Sequence, residues 1–217
     1  TRNIAIGTEA YDASDTESDN IAIGYAAMTT NTAGGNHNLA IGNYTLDALT
    51  SGDSNIAIGN SAMGAATTAG SNTAIGYQAL DANTTGNINV AIGYDALGAL
   101  TTADANVAVG REALASVTTG TRNTALGTSA GMTATDVNDN TALGYAALKD
   151  NAAASNTAVG SYALTENTTG GDNTAVGHTS LYTNTTGAGN TAIGRESLYY
   201  NTTGARNVAV GRYALYA

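Results

Sequence analysis

Residues 72–88 read NTAIGYQALDANTTGNI. The first five of them, Asn72 to Gly76, decide the fold, because the pattern Asn-x-Ala-(Ile/Val/Leu)-Gly recurs along the whole chain. It begins at Asn3, Asn20, Asn38, Asn55, Asn72, Asn89, Asn106, Asn123, Asn140, Asn156, Asn173, Asn190 and Asn207. Thirteen starts leave twelve intervals: ten of 17 residues, one of 18 from Asn20 to Asn38, and one of 16 from Asn140 to Asn156. So tight a period marks one structural unit per repeat.

Seventeen residues are too few for a helix pair. Within the pentapeptide a β-branched residue or Leu stands second (Ile4, Ile21, Thr73, Val90), Ala third, and an aliphatic residue fourth (Ile6, Ile23, Ile75, Ile92). Alternation with β-branched enrichment is the signature of a short strand. The fifth-position Gly and a Thr-Thr-Gly segment later in the unit supply corners, since Gly reaches backbone conformations that other residues avoid. The expected fold is therefore all-β, a parallel β-solenoid of about twelve coils built from short strands and tight corners. Coils stacked roughly 4.8 Å apart would give a rod on the order of 58 Å. Residues 1–217 read as a single repetitive segment, and a start in mid-repeat without Met suggests a piece of a longer fibre.

The strand is apolar on both faces, aliphatic on one and Ala on the other, yet a thin coil has only one inside. One solution packs Ala in a narrow interior and turns the aliphatic row toward partner chains, where each fully buried Ile or Val gains roughly 1.5–3 kcal/mol. The other puts the aliphatics inside a wider monomeric solenoid. The Asn at every coil start reads as a ladder of stacked amides that also satisfies corner backbone groups. Asn-x-Thr triplets occur at Asn43, Asn83, Asn167, Asn184 and Asn201, but the corner repeat itself explains four of them without glycosylation.

Composition bounds the function. The chain holds 27 Gly and no Pro, Cys, Trp or Phe, and only 11% of its residues are charged. With 42% hydrophobic residues it is too apolar and too regular to be a disordered acidic chain. The formal charge of −10 disfavours nucleic acid and anionic membranes. Residues 1–108 carry ten acids and one base, and residues 109–217 seven acids and six bases, so the acidity is concentrated in the first half. No apolar run is long enough to span a bilayer, and the expectation is no signal peptide ahead of Thr1.

Chemistry is sparse. Without Cys, and with His37 and His178 at variable positions of well-separated coils, nucleophilic catalysis and zinc are not expected. The acids of the first coil, Glu9, Asp12, Asp15, Glu17 and Asp19, lack the order of a calcium-binding loop. No column repeats an acid as carboxylate chemistry on glycosides would need. The expectation is no enzyme, no metal and no cofactor. Tyr182, Tyr199 and Tyr216 occupy one position of three successive coils, with Tyr200 and Tyr213 near; Tyr77, Tyr94, Arg195 and Arg212 share another. Ring-on-ring packing explains such a column, and contact with a glycan or receptor is its functional reading. Thr84, Thr101 and Thr118 run beside Thr85, Thr102 and Thr119, but adjacent residues of an extended segment face opposite ways and do not form one ice-ordering plane.

The repeat resembles the Asn-Ser-Val-Ala-Ile-Gly repeats in the heads of trimeric autotransporter adhesins. It resembles still more the Asn-Thr-Ala-Ile-Gly-Tyr-x-Ala-Leu repeats of phage tail fibres and related bacterial fibre proteins, as in residues 72–80 (NTAIGYQAL), 140–148 (NTALGYAAL) and 190–198 (NTAIGRESL). The resemblance covers the whole chain. It implies a left-handed parallel β-roll, three chains wound about one axis, and extracellular display on a cell or virion for attachment. The coils here are longer than those of the adhesin heads, and only structural residues carry over: the Asn, Ala, aliphatic and Gly of each pentapeptide. The expected function is thus a homotrimeric fibre or adhesin segment, with a cell-surface glycan or receptor as partner. Rival readings are a subunit that polymerises end to end into a filament, and a glycan- or ice-binding solenoid.

Overall fold

The computed structural model describes residues 2–13, 17–30 and 34–216. The chain divides into two compact units, Thr1–Asn106 and Val107–Ala217. Each is a parallel β-solenoid, and no residue described is helical. The first unit holds β1 (Ile4–Ile6), β2 (Ile21–Ile23), β3 (Leu39–Ile41), β4 (Ile56–Ile58), β5 (Thr73–Ile75) and β6 (Val90–Ile92). The second holds β7 (Val107–Val109), β8 (Thr124–Leu126), β9 (Thr141–Leu143), β10 (Thr157–Val159), β11 (Thr174–Val176), β12 (Thr191–Ile193) and β13 (Val208–Val210).

Within each unit successive strands pair in parallel, Ala upon Ala, as Ala57 upon Ala74 and Ala175 upon Ala192. The two irregular intervals cause no slip. Ala22 still opposes Ala40 and Ala142 still opposes Ala158, so the extra and the missing residue leave the strand register unchanged. Register is held because a one-residue shift would turn the buried Ala outward. From β2 on in the first unit, and in every strand of the second, the central Ala is buried and its two neighbours are half-exposed or exposed. Ala fills a narrow interior, and the wider solenoid with aliphatics inside is ruled out for both units.

Among the described residues each coil contains one three-residue strand rather than several. The remainder is turn, and counting the Asn as first, the seventh, ninth and seventeenth residues adopt left-handed backbone, as in Gln78 (φ 54), Leu80 (φ 54) and Ile88 (φ 59). That conformation costs a non-glycine residue roughly 1–2 kcal/mol. At the ninth position burial of Leu offsets it, since a buried Leu side chain gains roughly 1.5–3 kcal/mol. Met28, Leu46, Met63, Leu80 and Leu97 form this column in the first unit, and Leu114, Leu148, Leu164 and Leu181 in the second, all buried. Gly131 interrupts it, and there the Leu114 side chain takes the room: a Cβ on Gly131 would lie 2.7 Å from Leu114 Cδ2.

The expected Asn ladder is present in both units. Asn38, Asn55, Asn72, Asn89 and Asn106 each donate their backbone N–H to the preceding Asn Oδ1 at 2.8–3.1 Å. Asn140, Asn156, Asn173, Asn190 and Asn207 do so at 2.9–3.1 Å. The amide nitrogens reach across to a corner carbonyl, as Asn72 Nδ2 to the Gly86 oxygen at 2.8 Å. The fifth-position Gly is equally fixed: Gly76 has φ 140, and a Cβ there would lie 2.3 Å from the Gly93 oxygen.

Candidate functional site

Position sets the aromatic array of the second unit. Tyr182, Tyr199 and Tyr216 follow the ninth-position residue in three consecutive coils, so the stack superposes them. Tyr182 and Tyr199 lie with centroids 5.3 Å apart and planes at 10°, and Tyr199 and Tyr216 at 5.5 Å and 32°. Tyr199 is thus sandwiched, its faces occupied by neighbouring rings. The array goes further than the three expected residues. Tyr200 meets Tyr199 at 4.8 Å and Tyr216 at 5.2 Å, both edge to face, and Tyr213 meets Tyr216 at 5.3 Å. On the other side Tyr162 lies 6.4 Å from Tyr182 and 5.1 Å from Tyr145. Seven phenols form one unbroken network. Tyr145 stands at the sixth position, the column of Tyr77 and Tyr94, and Tyr162 at the seventh, that of Tyr213, but neither repeats in the adjoining coil, so a search for runs in successive coils passes them over. The available signal was density, since seven of the twelve tyrosines fall within residues 145–216.

The phenols perturb one another. Burial, then the neighbouring rings, raises Tyr199 above the ordinary phenol range. A hydrogen bond with Tyr200 raises Tyr216, and one with Tyr145 raises Tyr162. Arg212 joins the network, its guanidinium 4.6 Å from the Tyr213 ring centre. Arg195 pairs with Glu196 at 2.8 Å. Tyr200 also borders a cavity of 310 Å³ with Leu198, Asn207 and Leu215. In the first unit Tyr77 stacks on Tyr94 at 5.4 Å and 9°, while Tyr25 and Tyr44 meet edge to face at 5.3 Å.

The twelfth position carries a second amide ladder, at residues that in the sequence show only as part of the corner. Asn167 donates to Asn151 Oδ1 at 2.6 Å, Asn184 to Asn167 at 2.8 Å and Asn201 to Asn184 at 3.1 Å. Asn83 stands alone between Ala66 and Leu100 and is satisfied within its own corner by the Gly86 N–H and carbonyl. Asn83, Asn167 and Asn184 are fully buried with their amide nitrogens in use, which excludes glycosylation at those three triplets. Asn43 is exposed.

The acids of the first coil do not converge. Glu17 is buried and accepts the Gly34 N–H at 3.0 Å, while Asp19 pairs with Arg2 at 2.7 Å and lies 3.8 Å from His37. The Arg2 guanidinium holds the Asp19 carboxyl below the usual range. Asp15 lies outside the described residues. Among the described residues no group of three His, Cys, Asp or Glu could hold a metal ion. No helix long and apolar enough to cross a membrane occurs among them. His37 and His178 are exposed. Thr84, Thr101 and Thr118 are half-buried, and Thr84 Oγ1 donates to the Thr101 oxygen of the next coil at 3.1 Å, while Thr85, Thr102 and Thr119 face solvent. Compared with known proteins, the chain matches no family model, no curated protein and no solved structure.

Proposed function

We propose that the chain is a segment of a homotrimeric fibre or adhesin, displayed on a virion or cell surface, where it serves as shaft or head for attachment. The observation that supports this reading is the outer face of the strands. Coil after coil presents an aliphatic side chain outward, among them Ile56 at 40% exposure, Ile92 at 36%, Leu126 at 55% and Ile193 at 41%. A regular apolar stripe of this kind calls for a covering surface. Three identical chains with their stripes turned to a common axis form a closed arrangement that leaves none exposed. The role is mechanical, not catalytic. Stability in a stack of equivalent coils is nearly additive, so reach is set by coil number.

Mass photometry with negative-stain imaging tests this. Discrete rods of three chains are expected, and Ile56→Lys with Ile58→Lys should release folded single chains. Single-chain particles of the unaltered protein would sink the trimer, and open-ended filaments would favour a polymerising subunit instead.

A further inference from the structure

We propose that Tyr200 with Tyr216, and Tyr145 with Tyr162, are sites of oxidative cross-linking, at which a dityrosine bond joins one coil covalently to the next. Their geometry singles these pairs out of the network. Each pair spans consecutive coils, with ring centres 5.2 Å and 5.1 Å apart and planes at 74° and 78°. Within the seven-tyrosine network no other pair combines consecutive coils, edge-to-face rings and centres within 5.2 Å: Tyr182 and Tyr199 are stacked, Tyr199 and Tyr216 are tilted, Tyr162 and Tyr182 lie 6.4 Å apart, and Tyr199 with Tyr200 and Tyr213 with Tyr216 share a coil. In the first unit Tyr25 and Tyr44 meet at 5.3 Å and 86°, and Tyr77 and Tyr94 lie face over face.

One member of each pair is open to an oxidant, Tyr200 at 56% exposure and Tyr145 at 51%. Each phenol gives one electron and one proton to become a phenoxyl radical. The two radicals join through their ortho carbons, and the hydrogen on each joined carbon moves to its own oxygen, restoring both phenols. The pair has then lost two electrons and two protons. Hydrogen peroxide, acting through a haem peroxidase, takes up both and leaves as two waters. Neither an oligomer nor surface display is required.

The full chain, oxidised at high dilution with a haem peroxidase and hydrogen peroxide, would be digested with trypsin and weighed. Cleavage after Lys149, Arg195, Arg206 and Arg212 places the partners of each pair on different peptides. The expected products are residues 196–206 joined to 213–217, and 123–149 joined to 150–195, each lighter by two hydrogens, from protein that still runs as a single chain. Y200F and Y145F, which keep the ring, should lose the corresponding product, whereas Y199F and Y213F should retain the first. Equal yields from the urea-unfolded chain, survival of the first product in Y200F, or coupling found only between chains would each overturn the proposal.

Discussion

Asn38 Oδ1 accepts two hydrogen bonds from Asn55, one from the backbone N–H at 2.9 Å and one from the amide nitrogen at 3.0 Å. Asn55 Nδ2 also reaches the Ala69 oxygen at 2.8 Å, and its own Oδ1 accepts from Asn72 at 3.1 Å. A single buried amide therefore links three coils. Asn55→Ala strands the Ala69 carbonyl and the Asn72 N–H without partners, and a buried unsatisfied group costs about 1–3 kcal/mol. Chemical denaturation should show a loss of about 3 kcal/mol. A loss below a third of that would mean that water replaces the amide.

The glycine column makes a different demand. Gly76→Ala meets both a φ of 140 and a carbonyl oxygen 2.3 Å from the new Cβ. Gly211 has φ 125 but nothing within 4 Å of such a Cβ. Gly211→Ala isolates the conformational cost, on the order of 1–3 kcal/mol. Gly76→Ala should cost more, since backbone overlap adds to it, and thermal melts of the two variants compare them directly.

These two features were legible before any coordinates, because both recur at one position in every coil and depend on local chemistry. The Ala interior was legible as one of two alternatives, and coil thickness decides between them. The left-handed residues were not. Gln78 and Leu80 carry no local sign of positive φ, and only stacking against the coils above and below imposes it. The aromatic network was half legible. Tyr182, Tyr199 and Tyr216 share a column in successive coils, but Tyr145 and Tyr162 stand in different columns, and only the path of the turn brings those columns together.

Ile88 is the least suited of these left-handed residues: β-branched, φ 59, and 66% exposed, so no burial offsets its conformation. Its N–H donates to the Gly70 oxygen at 3.2 Å, which any residue but proline preserves. Ile88→Asn should stabilise the protein by about 1 kcal/mol, because Asn tolerates this region. An unchanged or lowered melting temperature would show that the isoleucine side chain makes a compensating contact.

Asp47 and Asp81 flank Gly64, where a Cβ would lie 3.6 Å from the one carboxylate and 2.9 Å from the other. Burial raises both carboxyls above the ordinary range, and for Asp47 the charge of Asp81 adds to it. A raised folded pKa means that the native state holds the proton more tightly than the unfolded chain. The penalty is thus full at neutral pH, relaxes as pH falls through the folded value, and is gone below the unfolded value near ~3.9. Asp81→Asn should stabilise at pH 7 by less than ~1 kcal/mol, since solvent screens a half-exposed group. The advantage over wild type should vanish in acid. Asp139, held low by Arg122, acts in the opposite sense in both proteins and cancels in the comparison.

Asn140 carries the one buried side-chain polar atom among the described residues that lacks a hydrogen-bond partner, its Nδ2. The cause is the 16-residue interval. In a full coil such as that of Asn72 and Asn83, both amides donate to one corner carbonyl, Gly86, at 2.8 and 3.0 Å. In the short coil Ala152 and Ala153 stand where other coils have Thr-Thr-Gly, and the Ala153 carbonyl accepts from Asn151 at 2.7 Å and Asn156 at 3.3 Å, not from Asn140. Replacing Ala152 and Ala153 by Thr-Thr-Gly restores the 17-residue spacing and returns a carbonyl to the Asn140 amide. The gain should be about 1–3 kcal/mol, the cost of one unsatisfied buried donor. The same replacement with Asn140→Ala should gain nothing, because no stranded donor remains. Equal stabilisation in both backgrounds, read from denaturation midpoints, would assign the effect to the corner itself.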